Sequence, residues 1–145
     1  EALCFVDRVL VDELGLQLNQ QKTMVTSFRN GFAFLGFVIS SHSVKMSPKA
    51  VGRFKDKVRA ITVRNHNLDA QVIVKLNRII RGTANYFLAP FTASTMLARD
   101  LDRWVRMRLR AMKFKRKWRT DHFRLRCRYL KKMGLLAFEE LCSAA

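Results

Sequence analysis

Apolar residues recur at helical spacing near the start of the chain, at Leu3, Val6, Leu10 and Leu14, with Asp7, Arg8 and Asp12 between them. The spacing predicts a helix over 2–14, ended by Gly15. The pattern then changes. Residues 22–28 and 33–40 are rich in Val, Thr, Phe and Ile, the composition of strands. Asn30-Gly31 between them predicts the turn of a hairpin, and Val44-Lys45-Met46 adds a short third strand. At Ser47-Pro48 the period returns to that of a helix, with a cap residue followed by proline at the first helical position. Val51, Phe54, Val58 and Ile61 form its apolar stripe, while Lys49, Arg53, Lys55, Lys57 and Arg59 mostly lie off it. Asn65-His66-Asn67 breaks this helix and Asp69 caps the next. The apolar set of that second helix is Val72, Ile73, Leu76, Ile79, Ile80, Tyr86 and Phe87, and Pro90 closes it. Thr92 or Ser94 starts a long helix to about residue 114. A fourth runs over 120–133 and stops at Gly134, and 135–141 makes a last helical turn. The pattern therefore predicts an α+β fold, mostly α. An N-terminal helix and a small antiparallel hairpin precede a helical bundle and a helical C-terminal extension.

Charge divides the chain at the same place as the period. Residues 1–46 hold four basic and four acidic groups, whereas residues 47–145 hold 24 basic and 7 acidic groups, the whole of the net +17. Such a block repels itself without a polyanion nearby, and RNA or DNA is the natural counter-charge, because each neutralised phosphate releases a counterion. An anionic membrane surface is the rival partner. It is disfavoured because the charge spreads over several helices rather than one amphipathic anchor, and no apolar run is long enough to span a bilayer. Cys4, Cys127 and Cys142 lack metal-ligand or paired spacing, which points to free thiols in a reducing compartment. His42, His66 and His122 are scattered, so no metal site is expected.

The densest charge lies on the third of the four main helices. Arg99, Arg103, Arg106, Arg110 and Lys113 follow one another at steps of 4, 3, 4 and 3 and so share a face. Leu97, Leu101 and Trp104 line an apolar face beside it, extended by Val105, Leu109 and Met112. The stretch that follows adds Lys115, Arg116, Lys117 and Arg119, and the fourth helix adds Arg124 and Arg128. Residues 103–132 hold fourteen basic groups and one acid, Asp121. A solvated helix face normally mixes signs, so the shortage of acids points to phosphate contact. Trp104, Phe114 and Trp118 are candidates to stack on bases, with core packing the stronger role for Trp104.

Two strings carry a family resemblance. The first is Leu14-Gly15-Leu16-Gln17-Leu18-Asn19-Gln20-Gln21-Lys22-Thr23, followed by strand, turn and Phe34-Leu35-Gly36-Phe37. This order resembles the end of the palm domain of group II intron reverse transcriptases. The second, Leu76-Asn77-Arg78-Ile79-Ile80-Arg81-Gly82-Thr83-Ala84-Asn85-Tyr86-Phe87, resembles the same family's maturase-specific region, where an RGWANYY-like string is characteristic. Thr83 stands where that string usually has Trp, and Phe87 where it has a second Tyr. The resemblance implies that Lys22 is the lysine of the polymerase motif D loop, an auxiliary general acid near the leaving pyrophosphate. It also implies that Phe34, Leu35, Gly36 and Phe37 form a primer-grip-like hairpin. The helices from Pro48 onward would be the thumb, which grips template–primer duplex and contacts intron RNA, with Arg81 and Asn85 among its contacts. Read from the residues alone, Lys22 is a surface charge, Tyr86 and Phe87 are core, and Gly82 is a helix-packing glycine. The implied domains are 1–46, the end of the palm; 47–115, the thumb or maturase-specific domain; and 116–145, a basic helical extension.

Polymerase chemistry needs paired aspartates to hold two magnesium ions, and in this family they lie in a YxDD strand motif that the chain does not contain. Asp12-Glu13 and Glu139-Glu140 sit on predicted helices instead. The expectation is that the aspartates precede Glu1, that the chain begins inside a longer protein, and that it holds no cofactor. Mg2+ would belong to the full-length RNA-directed DNA polymerase. The expected partners are structured intron RNA, RNA–DNA duplex and the upstream palm and fingers, in a bacterial cytoplasm or organelle matrix. The implied role is to position primer and template and to assist intron splicing and mobility, without polymerase activity of its own. The alternatives are the thumb of a related non-intron reverse transcriptase in defence or repair, or a freestanding RNA-binding protein derived from one.

Overall fold

The computed structural model describes residues 2–19, 21, 23–88, 92, 95–116 and 120–143. Helix α1 (Ala2–Arg8) runs on into a π-helical turn, Val9–Glu13. Gly15 follows at φ 61°, and Leu16 N–H reaches back to the Leu10 carbonyl at 2.8 Å. A three-stranded antiparallel sheet comes next: β1 (Phe32–Phe34), β2 (Phe37–Ser40) and β3 (Ser43–Met46), in that order. After β3 the regular structure of the described chain is all helical, and the fold is α+β, mostly α.

The hairpin is displaced from the position expected at Asn30-Gly31. Residues 23–27 form no strand. Phe32 pairs with Ile39 and Phe34 with Phe37, so the turn is Leu35-Gly36, at φ 47° and 85°. Positive φ at both central residues is the tight turn that matches strand twist. Asn30 and Gly31 instead turn the chain into β1, donating to the carbonyls of Ser27 and Phe28. The register is set by what the hairpin meets: Phe37 lies against Tyr86 and Phe87, with ring centroids 5.6 and 5.0 Å away. A one-residue slip would turn Phe37 to the other face of the sheet.

Helix α2 (Pro48–Ile61) starts where the sequence pattern places it, with Ser47 Oγ accepting from Ala50 N–H at 3.2 Å. Helix α3 (Ala70–Phe87) is capped by Asp69, whose Oδ1 accepts from Val72 N–H at 2.8 Å. Each cap satisfies a donor that the first helical turn leaves unpaired. Helix α4 (Thr95–Lys113) follows; Ser94 and Pro90 fall outside the described residues.

The single helix expected over 120–133 is two, α5 (Asp121–Arg124) and α6 (Cys127–Lys132). Leu125 breaks it by turning its side chain into the core, while its carbonyl accepts Arg110 Nε–H at 3.0 Å. A tertiary hydrogen bond thus replaces the helical one. Gly134, at φ 84°, closes α6: Gly134 N–H donates to Lys131 O and Leu135 N–H to Leu130 O, the paired bonds of a left-handed cap. Helix α7 (Phe138–Ser143) ends the described chain.

One core joins these helices. Val58, Leu76, Ile80, Leu109, Met112, Leu130 and Phe138 are fully enclosed in it, so residues beyond 115 share a core with α2, α3 and α4. Phe138 sets its ring edge-on to Phe54 at 5.3 Å. Two polar residues hold the last segment in place. Asn77 on α3 donates to Gly134 O at 2.7 Å and accepts from Leu136 N–H at 3.0 Å. Buried Asp102 on α4 accepts from Phe138 N–H at 2.9 Å and Glu139 N–H at 3.2 Å. It caps α7 from a neighbouring helix. Burial raises its carboxyl pKa, against the lowering by those two amides and by Arg106.

Candidate nucleic-acid interface

Helix α4 buries Ala98, Leu101, Asp102, Val105, Leu109, Ala111 and Met112. At about 100° per residue, Arg99, Arg103, Arg106, Arg110 and Lys113 form a face that flanks the main buried stripe, with Arg106 and Lys113 at its edge. What those cations touch differs from one to the next. Arg99 Nε lies 2.9 Å from Glu139 Oε1 on α7. Arg110 ties the α5–α6 joint, through Leu125 O and, at 3.6 Å, Cys127 Sγ. Arg103 keeps 82% of its side-chain exposure, its closest acid being Asp100 at 3.8 Å. Lys113 is exposed, and Arg106 is half-buried at the mouth of a groove shared with Arg128 and Lys131.

The residues after α4 are likewise divided. Lys115, at φ 56°, donates Nζ–H to His66 O at 2.6 Å and so clamps the α2–α3 loop. Buried Asp121 draws in Arg116 at 3.4 Å and Arg124 at 3.9 Å. Arg124 also stacks on Phe114, 4.7 Å from the ring centroid, and Arg128 on Tyr129 at 5.0 Å. Lys22, Lys117, Trp118 and Arg119 lie outside the described residues.

Several residues that matter here escaped the sequence reading. Arg108 donates Nε–H to Thr62 Oγ1 at 3.0 Å and a terminal N–H to Thr62 O at 2.7 Å, fastening α4 to the end of α2. Burial, with Arg59 and Arg64 nearby, lowers its pKa from the usual arginine value. Lys55 and Arg59 of α2 lie 5.6 and 5.5 Å from the half-buried Trp104 ring, forming a mixed aromatic and cationic edge. Off-stripe basic residues on α2 were visible in the sequence, but their meeting with Trp104 was not.

The Phe34–Phe37 turn rests on the end of α3. Phe34 and Leu35 are 57% and 67% exposed. A Cβ on Gly36 would come within 3.2 Å of the Phe87 ring, so glycine there meets both a positive φ and a close approach. Tyr86 donates its hydroxyl to Leu35 O at 3.0 Å. Tyr86, 51% exposed, is therefore not a core residue, whereas Phe87 is half-buried under the turn and packs against the core. Asn85 lies two residues and Arg81 six residues before that end, both exposed along an open groove on α3. Gly82 corrects another expectation. Among the described residues it packs against no helix, because a Cβ there would meet nothing of theirs within 4 Å.

Asp12 and Glu13 are exposed in the π-helical turn, Glu139 and Glu140 are paired with Arg99 and Lys131, and the described residues hold no cluster able to bind a metal ion. Cys4, Cys127 and Cys142 form no disulfide among the described residues, and burial beside Asp102 and Glu139 raises the Cys142 thiol pKa. No described helix is long and apolar enough to cross a membrane. Comparison with known proteins gives one family: the model described as "Group II intron, maturase-specific domain" matches residues 51–132. None of the curated proteins compared with the chain matches it.

Proposed function

We infer the function from a family membership: the chain belongs to the group II intron maturase-specific domain family, and its basic helices bind intron RNA. The observation that carries this reading is the basic face of α4 that flanks its buried stripe. Arg103, Arg106 and Lys113 stand there while Arg108 and Arg110 are engaged in holding the fold. Electrostatic and shape complementarity is what a maturase must supply, since the intron RNA itself performs splicing chemistry and phosphate contacts set register and orientation.

In this reading residues 47–115 act as the thumb of a reverse transcriptase, gripping RNA or RNA–DNA duplex, and 116–145 extend its basic surface. Residues 1–46 are the end of the palm, and the exposed Phe34–Leu35 turn is the part that supports a primer terminus. The apolar exposure of α1 and its flank, at Phe5, Val6, Met24 and Val25, suits a segment completed by an upstream palm. Lys22 would assist chemistry there, with Mg2+ held by upstream aspartates. The role proposed is to position primer and template and to help the intron RNA fold for splicing and mobility.

The test is the affinity for group II intron RNA of a variant with Arg103, Arg106 and Lys113 all changed to Gln. These residues are chosen because none makes the bonds to Thr62 or Leu125 that hold the fold. Binding weakened by about 30-fold or more with unchanged thermal unfolding supports the reading. Unchanged affinity removes α4 as the RNA face.

A further inference from the structure

We propose that the exposed face of α3 is a second nucleic-acid contact, and that Gly82 is its centre because the sugar–phosphate backbone of an RNA duplex comes too close there for a side chain. The inference rests on the RNA-binding reading above and adds a site and a positioning residue to it.

Glycine in the interior of a long helix is unfavourable relative to alanine, because it loses more backbone freedom on folding. Such a glycine is commonly retained because a neighbouring element packs against it. At Gly82 no neighbour among the described residues does: the residue is exposed, it lies well inside α3, its φ is not positive, and an added Cβ would meet none of them within 4 Å. The fold itself gives no reason for glycine at this position.

The surroundings indicate what would approach. At about 100° per residue, Gln71, Lys75, Arg78, Gly82 and Asn85 fall within an arc of about 80°, and all five are exposed. Arg81 flanks the arc and lines the same groove as Arg78, Gly82 and Asn85. Helix α3 contains no acidic residue. Among the described residues, Lys75, Arg78 and Arg81 have no ion-pair partner. This is an uncompensated row of donors with a notch at its middle. Cations and an amide are the groups that hold phosphate and ribose oxygens, and a missing side chain admits a backbone between them. Gly52 on α2 also has open space around it, but its helix carries the exposed Asp56–Arg59 ion pair and so does not present an acid-free row.

The experiment compares wild type, Gly82→Ala and Gly82→Leu. The probes are a double-stranded RNA hairpin and an RNA–DNA hybrid of the same sequence, and unfolding is followed without nucleic acid. The expected result pairs opposite signs. Gly82→Ala raises Tm by about 2–4 °C yet weakens RNA-hairpin binding by about fivefold or more, and Gly82→Leu weakens it further. Lys75→Gln with Arg78→Gln lowers the salt dependence of binding without lowering Tm. If wild type binds and the Gly82 series binds equally well, this inference is overturned while the RNA-binding reading stands. A fall in Tm for Gly82→Ala overturns it too, since the glycine would then serve the fold. A loss confined to the hybrid assigns the face to RNA–DNA and contradicts the RNA-duplex assignment. Absence of wild-type binding to either probe brings down the RNA-binding reading and this inference with it.

Discussion

Helices α3 and α4 are both amphipathic, both long and both basic, yet they use their charge differently. On α4, Arg99, Arg108 and Arg110 are committed within the molecule, to Glu139, Thr62 and Leu125. On α3, Lys75, Arg78 and Arg81 face outward without an ion-pair partner among the described residues, around a glycine that touches nothing. The difference teaches that a periodic row of arginines is not in itself a binding face. A guanidinium with five donors is as good a staple for backbone carbonyls as a phosphate ligand, and only its partners tell the two roles apart.

The contrast can be broken or sharpened by mutation. The largest effect expected is on the fold. Phe138→Ala should destabilise the protein by about 3–5 kcal/mol, measured by urea unfolding, because the ring is fully enclosed against Phe54. A much smaller loss would mean that α7 is an appendage and that α4 is free to bind RNA along its whole length. Next comes the staple. Arg108→Gln should cost about 1.5–3 kcal/mol, since the buried Thr62 loses two bonds from a charged donor. It should leave the salt dependence of RNA binding nearly as in wild type. A lowered salt dependence with intact stability would move Arg108 from staple to phosphate ligand.

A pH effect of smaller size belongs to Asp102. Its folded pKa lies above the ordinary carboxylate value because of burial, so the folded state holds that proton more tightly than the unfolded chain. Its contribution to stability is therefore greatest below about pH 4 and declines as pH rises toward and through the folded pKa. Wild type minus Asp102→Asn, followed by urea unfolding over about pH 3 to 7, should show that downward slope. An upward slope would mean that the amides and Arg106 outweigh burial. The smallest effect is at the surface. Removing the exposed partner of Arg99 by Glu139→Gln should change stability by about 0–1 kcal/mol and, by releasing Arg99, tighten RNA binding by about twofold.

Local chemistry was legible in the sequence, and tertiary choices were not. Ser47, Asp69 and Gly134 fix helix ends by bonds to residues within a turn or so, and each acts where the pattern predicts. The apolar stripes of α2, α3 and α4 form the core or pack against it, with exposed Tyr86 the exception. The hairpin was misplaced because Asn30-Gly31 and Leu35-Gly36 both suit a turn, and the deciding contact, Phe37 on Tyr86 and Phe87, spans distant sequence. The break in the last long helix was hidden for a related reason: Leu125 satisfies its carbonyl with Arg110 rather than with its own helix. At the candidate interface, the spacing of the α4 arginines could be read, but not their partners. The open surroundings of Gly82 could not be read at all, because a glycine inside a helical pattern looks the same whether a helix or nothing lies against it.

The central claim is that the basic face of α4 flanking its buried stripe meets phosphate through Arg103, Arg106 and Lys113. The most direct measurement is the salt dependence of intron RNA binding for wild type and for the variant with all three changed to Gln. Three lost phosphate contacts should reduce the slope of log K against log salt by about 2. An unchanged slope, in a variant that unfolds like wild type, would contradict the account.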